Sequence, residues 1–282
     1  MRRVGQRGSG NWDEISWDAA LDEIADRLLL VRKEYGPESL VGAVSSAFFS
    51  RGAMVALLMR SLGSPNWMMN QDLCGGCRAL SDKVTGLGIV GGEDVENTNC
   101  ALIVGRNPSA ADPVQWMGLR RAMEKGAKSI VIDPAETPAA KSADIWLRPR
   151  PGTDVAIALA MTQVIIEEQL YDESFVDTWT SGFDELKNRA SDFPPTRAEE
   201  LSGVPAADIV TSARMYADGP SCFVSGHGID AFSNGVQTFR AFHCLVAITG
   251  NVDRKGGNVR VKRPRGFRNY IDILHAPDFS LP

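Results

Sequence analysis

Cys100-Ala101-Leu102-Ile103-Val104 runs straight into Gly105-Arg106-Asn107-Pro108, and Ser129-Ile130-Val131-Ile132 runs into Asp133-Pro134. Each is a short apolar run without polar alternation, closed by turn residues, which is how a strand covered on both faces reads. Pro113 to Lys125, between them, has helical character. A third short strand, Ile145-Trp146-Leu147, leads through Pro151-Gly152-Thr153-Asp154 into a long helix reaching about Glu168. Further on, a helix over Ala206 to Ala217 precedes the strand Cys222-Phe223-Val224. The turn Gly226-His227-Gly228 and a helix over Gln237 to Thr249 complete the series. Strand, glycine-bearing turn and helix in repetition predict the α/β class: a doubly wound, mostly parallel sheet with helices on both faces.

Upstream the spacing changes. Residues 12–35 predict an amphipathic helix, with Ser16 as its cap, Asp18 in the first turn and apolar side chains at Ala20, Leu21, Ile24, Ala25 and Leu28. Gly36-Pro37 ends it. Leu40 to Val44 is strand-like, Ala53 to Leu62 helical, and Gly63-Ser64-Pro65-Asn66 a loop. This mixture predicts part of a second α/β domain.

With 282 residues, 44% of them apolar and 23% charged, the chain can bury a sizeable core. Its net charge of −5 argues against a nucleic-acid partner, which a basic face would mark. The basic stretch from Arg254 to Arg268 is short, broken by Gly and Pro, and reads as solvated surface or a domain crossing. No run reaches the roughly 18 apolar residues of a membrane span. The opening Met1-Arg2-Arg3-Val4 leads into Gly, Ser and Asn, not into the apolar segment of a signal peptide. Five irregularly spaced cysteines do not make a disulfide scaffold and favour a reducing, cytoplasmic setting, with the periplasm open if an upstream signal exists.

In a parallel sheet, ligands sit beyond the carboxyl ends of the strands, where all of these turns lie. Gly105 lets a ligand approach the main chain, and Asn107 offers a donor and an acceptor. Amides at the following helix start suit a phosphate. Asp133 can accept from a ribose hydroxyl or a purine. Asp154 can accept from guanine ring nitrogens, with Gly152 in the same turn, and Gly226 and His227 face the same edge. Each turn also has a plain structural reading: a tight turn at Gly105, a helix cap at Thr153 or Asp154, a packed histidine at 227. The Gly-x-Gly-x-x-Gly fingerprint is absent after the first strand of this series, so an ordinary NAD site is not indicated. In Cys74-Gly75-Gly76-Cys77 the two cysteines have the spacing of half a zinc site or a redox pair, but a second pair is missing, because Cys100, Cys222 and Cys244 are isolated.

Taken in order, Cys100 to Pro108, Lys125 to Pro134, Arg150 to Asp154, and Thr249-Gly250-Asn251 with Gly256-Gly257 resemble the molybdopterin oxidoreductases, the bis-guanine-dinucleotide enzymes related to dimethyl sulfoxide reductase and formate dehydrogenase. Arg7 to Trp12 and Ile15 to Leu21 resemble the segment that follows that family's iron–sulfur region. The resemblance covers nearly the whole chain. It implies three parts: a partial α/β domain over 1–69, a guanine-dinucleotide-binding domain over 70–262, and a return segment to the first domain over 263–282. It also implies that Gly105, Asn107, Asp133, Gly152, Asp154, Gly226 and His227 line a bis(molybdopterin guanine dinucleotide) cofactor carrying Mo or W. One departure is Ala135, where many relatives place arginine after Asp-Pro.

Asn70-Gln71-Asp72-Leu73-Cys74 matches the place where the family supplies its protein ligand to the metal, which implies Cys74 as catalytic and metal-binding residue. A thiolate suits a metal already held by dithiolene sulfurs. Cys77 then becomes a packing neighbour, and Cys100 and Cys244 core residues. Formate dehydrogenases typically place histidine after the ligand; here Gly75 follows, which argues against ordinary formate oxidation, and Arg78, Asp72 and Lys83 are the polar side chains nearby.

The resemblance implies a redox enzyme passing electrons to an iron–sulfur centre outside the chain. Its partners would be N- and C-terminal domains or a split subunit, with a [4Fe–4S] cluster on a preceding segment and an iron–sulfur electron-transfer subunit. A hydratase or transhydroxylase of the same family, and a truncated non-catalytic cofactor-binding module, are the alternatives.

Overall fold

The computed structural model describes residues 1–45, 49–69, 74–89 and 91–260. The chain divides into two compact units, the first built from Met1–Gln71 and the second from Asp72–Arg263. The expected return segment over 263–282 lies outside the described residues.

In the first unit, β1 (Arg2–Arg3) pairs antiparallel with β2 (Trp12–Asp13). Helix α1 covers Trp17–Tyr35, starting later than residue 12 because Ser16 caps it, its hydroxyl accepting from Ala19 N at 3.2 Å. Strand β3 (Gly42–Val44) and helix α2 (Phe49–Ser61) precede β4 (Trp67–Met69), a short strand the sequence did not announce. β3 and β4 pair in parallel, so the αβ character expected here is present in miniature. Leu40, Met59 and Leu62 form the small core, with Leu28 and Val31 of α1 against it.

The second unit opens with α3 (Gly76–Thr85), followed by β5 (Cys100–Val104), the single turn α4 (Pro108–Ala111) and α5 (Pro113–Glu124). Then come β6 (Lys128–Ile132), the single turn α6 (Pro138–Lys141), β7 (Ile145–Leu147) and the central helix α7 (Asp154–Glu167). Three short helices, α8 (Glu173–Trp179), α9 (Phe183–Ser191) and α10 (Pro195–Ser202), lead to α11 (Ala206–Ala217). β8 (Ser221–Ser225) and α12 (Gly235–Ile248) complete it.

The sheet order is β7-β6-β5-β8, all parallel. Neighbouring residues of a strand point to opposite faces, so β5 is divided between two cores. Leu102 and Val104 join Ile130, Ile132 and Phe223 beneath α7, α11 and α12. Ala101 and Ile103 join Val131, Cys222 and Val224 beneath Leu119 of α5 and Ala139 and Ala140 of α6. A sheet covered on both faces needs apolar residues at every position of its central strands, which is why β5 reads Cys-Ala-Leu-Ile-Val without alternation. Helix α7 is buried on nearly every side from Ala156 to Ile166 because α9, α10, α11 and α12 all pack against it.

From β5 the chain steps outward to β6 and β7, then returns to place β8 on the other side of β5. The connections diverge at the carboxyl ends of β5 and β8, and the crevice at such a reversal is where open α/β sheets bind ligands. The turns at Gly105 and Gly226 stand there.

Candidate functional site

The first layer of the site is backbone against backbone. Gly228 N donates to Gly105 O at 3.0 Å, and Gly226 N donates to Val104 O at 2.9 Å. A Cβ on Gly228 would sit 2.7 Å from Gly105 O, and one on Gly226 would collide with the same oxygen. Only glycine allows the two turns to close this tightly. Arg106 bridges them from the side: Nη1 donates to Ser225 O at 3.1 Å and Nη2 to Asp112 Oδ2 at 3.1 Å.

Asp112 also caps α5, its Oδ1 accepting from Gln115 N at 3.0 Å. The amide of Gln115 at the start of α5 is therefore already engaged. α4 is a single turn whose first residue, Pro108, has no N–H, and the start of α5 already holds a carboxylate. Asp112→Ala should cost about 1–2 kcal/mol, mostly from the lost cap, the half-exposed ion pair adding little. Urea denaturation of Asp112→Ala beside Asp112→Asn checks this, with Asn keeping most of the stability. Asn107 makes no cap; its Oδ1 accepts from Ser109 Oγ at 2.7 Å, leaving the side-chain NH2 without a protein partner among the described residues.

The second layer surrounds the cysteine at the start of α3. Gly75, the residue before this helix, adopts φ +91°, a left-handed conformation that turns the chain sharply after Cys74. Cys74 Sγ lies 3.9 Å from His227 Nε2. His227 Nδ1 is 2.9 Å from Asp230 Oδ2, and Asp230 Oδ1 accepts from Arg78 N at 3.1 Å. The Asp230 side chain is 0% exposed, whereas that of His227 is 55% exposed. Sequence reading missed Asp230. A 3₁₀ turn over His227–Ile229 brings residues three apart together, so the His-x-x-Asp spacing was the available signal. Burial raises the pKa of half-buried Glu93 above the usual carboxylate range, with its own backbone amide and the Arg106 and Arg78 charges opposing the rise. Cys77 is half-buried and packs against the core and the start of α12 near Gly235. Asn70 to Leu73, and with them Asp72, lie outside the described residues.

The third layer follows β6 and β7. Asp133 is 8% exposed; its Oδ1 accepts from Ala135 N at 2.8 Å, and its carbonyl accepts from Trp146 Nε1 at 2.8 Å. Burial raises its pKa. Asp154 is 5% exposed and its pKa is pushed up to about 6 by burial, a bond to its own amide opposing and the Asp133 charge adding to the rise. Neither Thr153 nor Asp154 caps α7 in the ordinary way, since Thr153 Oγ1 instead donates to Arg150 O at 2.6 Å. Gly152 is fixed from the β8–α12 loop: Asn234 Nδ2 donates to its carbonyl at 2.9 Å, and the Phe232 ring lies where a side chain would project.

The structure thus brings Gly105, Gly226, His227 and Cys74 into one cluster, and Asp133 and Asp154 within electrostatic reach of each other, with Gly152 joined to the His227 loop through Asn234. Asn107 follows the Gly105 turn. Cys100 is buried as expected, its thiol pushed far up by burial, while Cys244 is only half-buried and borders a cavity of about 1250 Å³ beside α12. That corrects its assignment to the core. Lys83 lies in the last turn of α3.

Comparison with known proteins bears on the chain as a whole. Acetylene hydratase of Syntrophotalea acetylenica is 40% identical over 100% of this chain and 37% of its own length. The thiosulfate reductase molybdopterin-containing subunit of Salmonella typhimurium is 36% identical over 99% of this chain and 37% of its own length. The structure of acetylene hydratase from Pelobacter acetylenicus superposes with a TM-score of 0.73 at 39% identity, covering 88% of this chain and 34% of that one. The chain therefore spans about 37% of the length of these curated relatives. A family profile described as molybdopterin oxidoreductase matches residues 1–276, a span that contains both units and every turn described above. This chain belongs to the molybdopterin oxidoreductase family.

Proposed function

We propose that this chain grips a molybdopterin guanine dinucleotide in a molybdenum- or tungsten-dependent oxidoreductase, with Cys74 as the protein ligand to the metal. The observation that carries this reading is the pair of buried carboxyls, Asp133 and Asp154, on the same carboxyl edge of the sheet as the Cys74 cluster.

The donor set fits the group. Guanine presents N–H donors at N1 and N2, and among the described residues Asp154 has no partner for its carboxyl beyond its own amide. A carboxylate is an acceptor only, so it matches two adjacent donors. Asp133 keeps one oxygen for Ala135 N and has the other for a ribose hydroxyl. The Asn107 amide can donate to phosphate oxygens, and the closed Gly105–Gly226 backbone sets the floor beneath the cofactor. Cys74 offers a soft donor to a soft metal. When bound, the cofactor supplies the electron changes or the Lewis acidity; the protein orients it and tunes its surroundings. In the redox reading, electrons leave to an iron–sulfur centre, a [4Fe–4S] cluster, outside this chain.

Analysis of the full protein in which this chain occurs is the test. Mo or W is expected together with about two guanine nucleotides per metal atom after acid release, the stoichiometry of a bis-dinucleotide cofactor. Protein that turns over its substrate while containing neither metal nor guanine nucleotide would refute the reading.

A non-redox reading, addition of water to an unsaturated substrate, is favoured by the 40% identity to an acetylene hydratase. It predicts turnover whose rate does not depend on an added electron acceptor. No helix among the described residues is long and apolar enough to cross a membrane, so neither reading draws on a spanning segment in this chain.

A further inference from the structure

We propose that the half-exposed ring of Phe232 is the stacking face for the purine base at Asp154. The inference rests on the reading of Asp154 as the guanine acceptor. It supplies what a carboxylate cannot, a surface for the face of the base where Asp154 takes its edge.

The path of one loop carries the argument. β8 and β7 are the opposite edges of the sheet, three strand spacings apart, about 14 Å. The chain after β8 nevertheless reaches the turn after β7. It first closes on the β5 turn, where Gly228 N donates to Gly105 O at 3.0 Å. It is next pinned at Asp230, whose buried side chain accepts from Arg78 N at 3.1 Å. It then meets Gly152, whose carbonyl accepts from Asn234 Nδ2 at 2.9 Å. Phe232 stands between the last two anchors, and its own carbonyl accepts from Gly235 N at 2.9 Å. The loop thus runs along the carboxyl edge and delivers the ring to the turn that leads into Asp154.

The ring is fixed on one side and open on the other. Its Cδ1, Cε1 and Cγ lie 3.2, 3.5 and 3.8 Å from where a Cβ on Gly152 would stand. Gly152, at φ +84°, leaves that place vacant, so the ring packs on backbone two residues before Asp154. Phe232 is still 36% exposed, although Ile229 and Asp230 of the same loop are buried. Trp146, the ring beside Asp133, is already engaged: its Nε1 donates to Asp133 O at 2.8 Å, and the Arg148 guanidinium lies over it at 5.6 Å. Hydrogen bonds to the edge of a base gain little by themselves, because water competes for the same donors. A rigid apolar ring against its π face removes further surface from water at low cost in conformational freedom.

The test is calorimetric binding of guanosine and inosine diphosphates to the full protein prepared without cofactor. Phe232→Leu keeps an apolar side chain on Gly152 but removes the planar face. It should weaken both nucleotides by the same factor, about tenfold, since stacking does not read the base edge. Phe232→Tyr should stay within about twofold of wild type. In Phe232→Trp, guanosine diphosphate should quench the added indole's fluorescence beyond any quenching seen in wild type, a signal that packing on Gly152 alone would not give. Wild-type affinity in Phe232→Leu, or emission from Phe232→Trp that bound nucleotide leaves untouched, would overturn the inference; Asp154→Asn would still bind guanosine diphosphate weakly. Wild type that binds no guanosine diphosphate, or Asp154→Asn that binds it as wild type does, would overturn the guanine reading itself, and the inference with it.

Discussion

Cys74→Ala should lower turnover by at least about a thousandfold, ~4 kcal/mol of activation free energy at 25 °C, while shifting Tm by no more than about 2 °C. The two effects separate because the thiol is half-buried and its single polar contact among the described residues is the 3.9 Å approach of His227. Nothing in the core closes around it, so removal opens no cavity. Under the proposed ligand role, the chemistry by contrast depends on a sulfur donor at that one position. Cys77→Ala is the control, three residues along and packed against the core and the start of α12. It should cost about 1 kcal/mol of stability and leave turnover within a few fold. Steady-state rates on metal-loaded protein and thermal melts decide the matter. Comparable losses of turnover in both variants would refute a ligand role confined to Cys74.

Asp154→Asn should raise stability at neutral pH and abolish guanine selectivity. Burial holds the Asp154 pKa near 6, against 3.8 for the free side chain, so the native state binds its proton more tightly than the unfolded chain does. The stability contribution is complete below about pH 4 and is lost as pH rises to about 6. Above that it stays flat, at a loss on the order of 3 kcal/mol. Asparagine carries no charge to desolvate. The variant should therefore be more stable than wild type at pH 7.5 by up to roughly 3 kcal/mol, and equal to it near pH 4.

Affinity should move the opposite way. One acceptor and one NH2 cannot match the paired N–H donors of guanine, so binding of a guanosine diphosphate to cofactor-free protein should weaken about 100-fold. Xanthine carries an oxygen where guanine carries the amino group, and the variant should prefer it. Denaturation at pH 4 and 7.5, with calorimetry on guanosine and xanthosine diphosphates, tests both halves. A variant with unchanged preference would remove Asp154 from the base site. Stability that is insensitive to pH in wild type would contradict the buried, proton-binding carboxyl. Such an opposition between stability and binding is expected where a site keeps a desolvated charge for its ligand.

The strands β5, β6 and β8 were legible because burial on both faces forces unbroken apolar runs, and their turns because glycine and proline punctuate them. α11 was readable to the residue, and Ser16 was readable as a cap. The helices α8, α9 and α10 were not: they are short, charged and set apart by Gly182, Pro194 and Gly203, and their stability comes from packing, α9 and α10 on α7 and α8 on α12. α3 was hidden behind the Cys-x-x-Cys spacing that drew attention to its first turn.

By itself, then, the sequence determined the strands of the main sheet, their alternation with helices, and the residue types that stand at each strand end. Those are consequences of local sterics and of which side chains avoid water. Tertiary structure alone decided which ends meet. It took the reversal of strand order around β5 to bring His227 to Cys74, and the β8–α12 loop to lay Asn234 against Gly152. It also took burial of the loops after β6 and β7 to make Asp133 and Asp154 feel each other. Contacts of this kind depend on the path of the whole chain and on solvent exclusion, and neither has a signature within any window of residues.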